Sequence, residues 1–421
     1  MTIRLPYDKT HIEMEIADTR VLAVLEPSVP APAQSQEALV QNALENPVRS
    51  PRLRDLAAGK RRVLVITSDH TRPVPSKITL PPLLREIRAG NPDAEIKIVI
   101  ATGLHRAMTE SEMADKFGAG LMAGETFINH DGYDTAHMAF KGILPSGGEL
   151  WLNHTVDWAD LVVAEGFIEP HFFAGFSGGR KSVLPGIASE KTVLANHCAA
   201  FISHPRAKTG NLDGNPIHAD MLFAAKAARL AFILNVTLDF EKRITAAFAG
   251  DSEAAHRAGC ACMARQSKVS ATPADIVIAS NGGYPLDQNI YQAVKGMTAA
   301  EATVKKDGVI IQIAKSNDGH GAPEFHKTFA EEKNLDRMLD TFMKTPKEST
   351  RIDQWESQIL ARVLKHARVI YISDAPDEMV RDFHMIPAHS IDEAVKMAED
   401  ILGNHDASIT VIPDGISVVV G

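Results

Sequence analysis

The most constraining feature of this chain is a set of short Val- and Ile-rich runs with little polar alternation. They are Val63–Thr67, Ile96–Ala101, Leu161–Ala164, Ile276–Ala279, Val309–Ile313 and Val369–Ser373. A strand with one wet face alternates apolar and polar residues; a strand covered on both faces does not. Between the runs lie helical patterns. Leu80–Arg88 is one, and the Ala-rich Ile217–Leu230 is another. A third, Thr109–Phe117, opens with Thr109 and places Glu112 three residues on, a capping-box spacing. Buried strands alternating with helices predict an α/β fold with largely parallel sheets. The polar stretch Ala264–Pro273 is the candidate boundary between an N-terminal domain (1–270) and a C-terminal domain (271–421). A last strand-like run, Ser408–Ile412, is free to pack on either.

The segments just beyond four of these strands are polar: Asp69, His70 and Arg72; then Gly103, His105 and Arg106; then Glu165, Gly166 and His171; then Asn281, Gly282 and Gly283. Open α/β sheets bind ligands outside the carboxyl ends of their strands. Four such loops from two domains predict a cleft between the domains.

Composition narrows the partners. Forty-four basic against 53 acidic residues give a net charge of -9, which offers no general attraction for nucleic acid or anionic membrane. The three cysteines, Cys198, Cys260 and Cys262, are too few for a disulfide framework and lack a zinc spacing. No uncharged apolar run approaches the ~18 residues of a membrane span, and the first residues have no signal-peptide core. The expectation is a cytoplasmic protein that acts on a small molecule.

Gly175–Ser182 reads Gly-Phe-Ser-Gly-Gly-Arg-Lys-Ser. Clustered glycines let main-chain N–H groups approach an anion, and a neighbouring lysine adds charge. Arg180 stands where a P-loop needs glycine, and no dinucleotide fingerprint follows a strand, so ordinary triphosphate and NAD binding are not supported. A Gly-rich turn with a solvated lysine is the plain alternative. Arg72 suits bidentate capture of a carboxylate, with Asp69 to orient it; a structural Asp–Arg pair explains the segment equally well. Seventeen histidines make any one of them weak evidence, although His105 and His171 follow strands and His197 lies near the Gly-rich loop. In Asn281–Glu301 a short helix around Ile290–Lys295, with a candidate cap at Thr298, sets Tyr291 and Gln292 four and three residues before Lys295, all on one face.

Together these segments resemble the nickel-dependent lactate racemase family, the LarA-like 2-hydroxyacid racemases. The stretches that carry the resemblance are Ser68–Pro75, Ala101–Arg106, Glu165–Ile187, Ala195–His197 and Asn281–Glu301. The resemblance implies two α/β domains with the active site between them. It implies a nickel-pincer cofactor, a pyridinium mononucleotide with two sulfur substituents, in which His197 completes the nickel coordination. Lys181 matches the lysine that can be tethered to the cofactor through a thioamide. From the chemistry of the loop, Ser177, Gly178 and Gly179 are expected near its phosphate. His105 and His171 match the two general bases. Arg72 and Lys295 match the carboxylate anchors, with Asp69 and Gln292 orienting nearby groups. Cofactor-synthesis proteins are the expected loading partners.

The chemistry has a physical rationale. Removing the α-hydrogen of a 2-hydroxy acid as a proton leaves a very unstable dianion. Removing it as hydride leaves a stable 2-keto acid, given an electron-poor acceptor. Two enantiomers on one carboxylate anchor point their hydroxyls differently, so two bases are needed. Phe173 and Tyr291 would form a tight apolar wall suited to a methyl group, which favours lactate over other short aliphatic 2-hydroxy acids. The competing expectations are a non-catalytic carrier of the cofactor and a metal-free phosphometabolite enzyme using the Gly-rich loop.

Overall fold

The computed structural model describes every residue of the 421 except Ala17 and Ala33. The chain builds two six-stranded sheets. In the first, the order across the sheet is Ile244–Gly250, Leu230–Leu238, Leu161–Phe167, Arg62–Ser68, Glu95–Ala101 and Thr126–Asn129. All neighbours are parallel except Ile244–Gly250, which runs antiparallel at one edge. In the second, the order is Ile386–Ala388, Arg368–Ile372, Val304–Ile313, Ala274–Ser280, Ile409–Ile412 and Val21–Val24, parallel throughout. The central strands are buried on both faces: Leu161–Phe167 has no exposed residue, and neither does Ala274–Ser280. This is why their sequences lack alternation.

Each sheet has one place where the strand order reverses. In the first it lies between Arg62–Ser68 and Leu161–Phe167; in the second, between Ala274–Ser280 and Ile409–Ile412. Loops leaving such strands diverge and open a crevice. Here those loops carry Asp69–Arg72, Glu169–His171 and Asn281–Asn289, and the two crevices meet: a 460 Å³ cavity is lined by Glu169, His171 and Thr209 from one domain and Lys295, Thr298 and Ile416 from the other.

Four expectations need correction. The N-terminal segment does not belong to the first domain. Val21–Val24 forms the edge of the second sheet, and the hairpin Thr2–Tyr7/Thr10–Glu15 shares that sheet's core through Ile3, Leu5 and Met14. The helix begun at Pro216 ends at Ala227, short of the Leu230 to which the alanine-rich pattern ran, and Leu230–Leu238 is a nine-residue strand that was not expected. The proposed boundary is partly helical: the helix Ala254–Ser267 runs into it, and Lys268–Val269 then pairs with Val419–Val420. The helix expected around Ile290–Lys295 extends to Glu301, with Asn289 as its cap and Thr298 inside it.

Candidate active site

The loop after Arg62–Ser68 is tied down by its own acid. Asp69 is buried, and its Oδ1 accepts from the Thr71 main-chain N–H at 3.0 Å and the Thr71 hydroxyl at 2.5 Å. Its other oxygen accepts from Nδ1 of His105 at 2.7 Å. Burial alone would raise the Asp69 pKa; His105, Arg72 and Thr71 outweigh it and hold the group below the usual carboxylate range. An imidazole bonded this way is fixed in orientation and tautomer and presents Nε2 outward. The His105 side chain is 40% exposed, so its ring is accessible from solvent.

His171 follows the strand Leu161–Phe167. Its ring stacks on Phe172 at 5.0 Å and meets the edge of Phe173 at 4.5 Å. Burial, with Lys181, Lys295, Arg72 and His197 around it, pushes its pKa well below that of ordinary histidine. The neutral ring is therefore the resting form. A carboxylate entering among these cations would offset them and restore some of its basicity.

His197 ends the helix Glu190–Asn196. Its Nδ1 donates to the Val193 carbonyl at 3.0 Å, and burial lowers its pKa to about 3. That bond leaves the Nε2 lone pair free, the state in which histidine binds metals. Phe173 lies edge-on to it at 5.1 Å and Trp355 at 5.0 Å. Lys181 approaches the same Phe173 ring, its Nζ 5.8 Å from the centroid. Burial, with Arg180, Arg72 and Lys295 nearby, holds the Lys181 pKa well below the lysine range. Among the described residues no group of three His, Cys, Asp or Glu side chains could hold a metal ion, so a metal seated on His197 would have to bring its other ligands with it.

The second domain contributes the helix Ile290–Glu301. Lys295 Nζ donates to Gln292 Oε1 at 2.6 Å, one turn beyond Tyr291. Burial, then Arg72, lowers the Lys295 pKa to about 8. Across the cleft, Nη1 of Arg72 is buried with no hydrogen-bond partner. An unpaired buried guanidinium donor is costly, and such cost is tolerated where a ligand supplies the acceptor.

The structure thus brings His105, Asp69, Arg72, His171, Phe173, Lys181 and His197 from one domain to Gln292, Lys295 and Tyr291 from the other. It does not make an anion cradle of Ser177, Gly178 and Gly179. The Ser177 hydroxyl donates to the Phe167 carbonyl and accepts from the Glu169 N–H, both at 2.9 Å. The Gly179 N–H is taken by Asn235 Oδ1 at 2.7 Å. Both glycines have positive φ, and a Cβ at Gly178 would lie 2.7 Å from Asn235 Oδ1, one at Gly179 2.8 Å from the His256 ring. They are glycines because protein packs against them, not because the loop is open. The loop is held by Arg180, the residue that broke the P-loop match. Its fully buried guanidinium bonds the carbonyls of Ala174, Ser177 and Gly178 and the His218 ring, and lies 2.9 Å from the His256 ring.

Three participants escaped the sequence reading. Trp355 is buried against His197, and its indole N–H donates to the Tyr291 hydroxyl at 2.8 Å. Glu356 beside it is buried with Oε1 unpartnered, and burial raises its pKa despite Lys295. Glu169 sits between the cleft and a neighbouring 540 Å³ cavity, its pKa raised by burial. Trp355 and Glu356 lie outside any motif and carry no sequence signal; Glu169 lies within Glu165–Ile187 but nothing in its spacing sets it apart.

Fold and site together define a two-domain α/β protein whose interdomain cleft offers imidazoles and cations to a small carboxylate. Family models describe the same chain: the lactate racemase N-terminal domain matches residues 7–210, and the lactate racemase C-terminal domain matches residues 269–420. The lactate racemase of Thermoanaerobacterium thermosaccharolyticum is 53% identical over 421 residues, covering 99% of each chain. That of Lactiplantibacillus plantarum is 49% identical over 423 residues, covering 100% of each. The solved lactate racemase apoprotein from T. thermosaccharolyticum superposes with a TM-score of 0.96 at 53% identity over the whole of both chains. A Thermotoga maritima protein, at 20% identity and a TM-score of 0.67 over 92% of this chain and 97% of its own, shares the fold. The chain belongs to the lactate racemase family.

Proposed function

We propose that this protein is an isomerase that interconverts the two enantiomers of lactate. The observation that carries the reading is the cleft itself. It sets two imidazoles, His105 on its Asp69 support and His171 among aromatic rings, beside cations from opposite domains, Arg72 and Lys295. The family relationship supports the substrate.

Arg72 and Lys295 hold the carboxylate, and the unpartnered Nη1 of Arg72 gains its acceptor when substrate enters. Gln292 keeps the Lys295 ammonium in place. Phe173 and Tyr291 close round the methyl group and exclude water; Trp355 fixes Tyr291 through its hydroxyl. One histidine takes the proton from the hydroxyl of one enantiomer, and the other does so for its mirror image. Asp69 stabilises the imidazolium that forms on His105.

The residues present fit a nickel-pincer nucleotide. His197 offers a neutral Nε2 in an aromatic pocket, and the pincer would bring the other ligands, since no group of three His, Cys, Asp or Glu side chains among the described residues could hold the metal. Burial and neighbouring cations lower the Lys181 pKa, which favours the unprotonated amine that a covalent link needs. When bound, the group supplies an electron-poor carbon able to accept a hydride from C2 of the substrate and give it back.

Protein produced together with cofactor-making enzymes and incubated with either lactate enantiomer should lose optical rotation completely. Bound nickel without loss of rotation would favour a cofactor carrier. Turnover without nickel would reject the pincer.

A further inference from the structure

One half-buried cation near the cleft has no acid to bond. Lys116 is the penultimate residue of the helix Glu110–Phe117. Its Nζ donates to the main-chain carbonyl of Arg72 at 2.8 Å and to that of Val74 at 3.5 Å, and no carboxylate bonds it among the described residues. Half-burying an ammonium on carbonyls alone costs part of its hydration; an apolar side chain of similar length would avoid that cost if packing were the only demand.

The helix that carries it is rigidly placed. Thr109 and Glu112 cap it reciprocally, and Phe117 at its end is buried against Phe127, with centroids 4.8 Å apart. Arg106, next to His105, pairs with Glu112 of the same helix. Asp69 ties the loop at Thr71, but the Arg72 main chain itself makes one other bond, and that one is long. Its N–H reaches the Asp69 carbonyl only at 3.4 Å.

We propose that Lys116 is a positioning residue for substrate capture: by clamping the Arg72 carbonyl to a capped helix, it keeps the Arg72 guanidinium aimed at the substrate carboxylate. The proposal rests on the reading of Arg72 as an anchor. A carboxylate holder displaced by ~1 Å loses much of its hold. The charged groups facing the Lys116 ammonium are Glu165, Asp69 and Arg72; burial exceeds their combined effect and lowers its pKa to about 8.

The test is steady-state lactate racemisation by the cofactor-loaded Lys116→Met, Lys116→Arg and Arg72→Lys enzymes. Lys116→Met should raise KM about tenfold with kcat within about threefold. Lys116→Arg, which can donate to both carbonyls, should recover most of that loss. Raised KM in Arg72→Lys with normal KM in Lys116→Met overturns the clamp and leaves the anchor standing. Normal KM in both removes the anchor as well. A fall in kcat as large as the rise in KM marks general damage and also overturns the clamp. Should Lys116→Met not fold, KM against pH decides. Wild-type KM should climb above about pH 8, and Lys116→Arg should shrink the climb to the part owed to Lys295; superimposable profiles overturn the proposal.

Discussion

Two arginines in the first domain stand in opposite conditions. Arg180 is fully buried and finished: three carbonyls and the His218 ring accept from it, the His256 ring packs at 2.9 Å, and its own segment is closed round it. Arg72 is unfinished, with Nη1 buried and unpartnered and a main-chain carbonyl held by a lysine from another helix. Both lie in polar, glycine- or proline-flanked segments that read alike in the sequence. The difference teaches that hydrogen-bond saturation, rather than polarity, separates scaffold from site. The buried carboxylates repeat the lesson. Glu165 is committed to the hydroxyls of Thr67, Ser76 and Thr79 within the scaffold, whereas Asp69 gives one oxygen to its own loop and the other to His105.

The comparison breaks first on kinetics. His105→Ala and His171→Ala should each cut kcat by about 10²-fold or more, as expected for lost acid–base groups, while leaving the melting temperature of the cofactor-free protein nearly unchanged. A large drop in melting temperature with normal turnover would move those histidines to the scaffold side. Arg180→Met should do the reverse to stability. It strands the buried His218 ring and three carbonyls, at a cost on the order of 3–5 kcal/mol in denaturant unfolding of the cofactor-free protein. Arg72→Met should cost the fold almost nothing in the same assay; equal losses would erase the distinction.

Acid sharpens it further. His218 accepts from Arg180 and His256 lies against it; burial and the guanidinium lower the first to about 3 and the second well below 6.5. The unfolded chain binds protons there that the folded chain refuses. Stability is therefore complete above about pH 6.5 and falls as pH drops toward the folded values, by up to about 1.4 kcal/mol per unit for each ring. Unfolding midpoints that do not change between pH 7 and pH 5 would contradict this.

Much of the fold was legible because strands covered on both faces cannot hide: Val63–Thr67 and Ile276–Ala279 have only one use. The strand Leu230–Leu238 was missed because its helix ends without a glycine; Arg229 itself takes the left-handed turn, at φ 56°. The pairing of Val21–Val24 with Ile409–Ile412 spans almost the whole chain, and no local pattern encodes it. In the site, His105, His171, Arg72 and Lys295 stood out by their place after strands or within an unusual block. Trp355 and Lys116 did not, since each acts only through a neighbour brought by the fold. Ser177–Gly179 misled because a loop that packs on itself and a loop that cradles an anion need the same glycines.

The central claim is that the two histidines act on the oxygen of lactate and never on its carbon. Racemisation of lactate deuterated at C2, in ordinary water with cofactor-loaded protein, tests it directly. The account predicts that the inverted product keeps its deuterium. Replacement of that deuterium by solvent hydrogen on each inversion would contradict it.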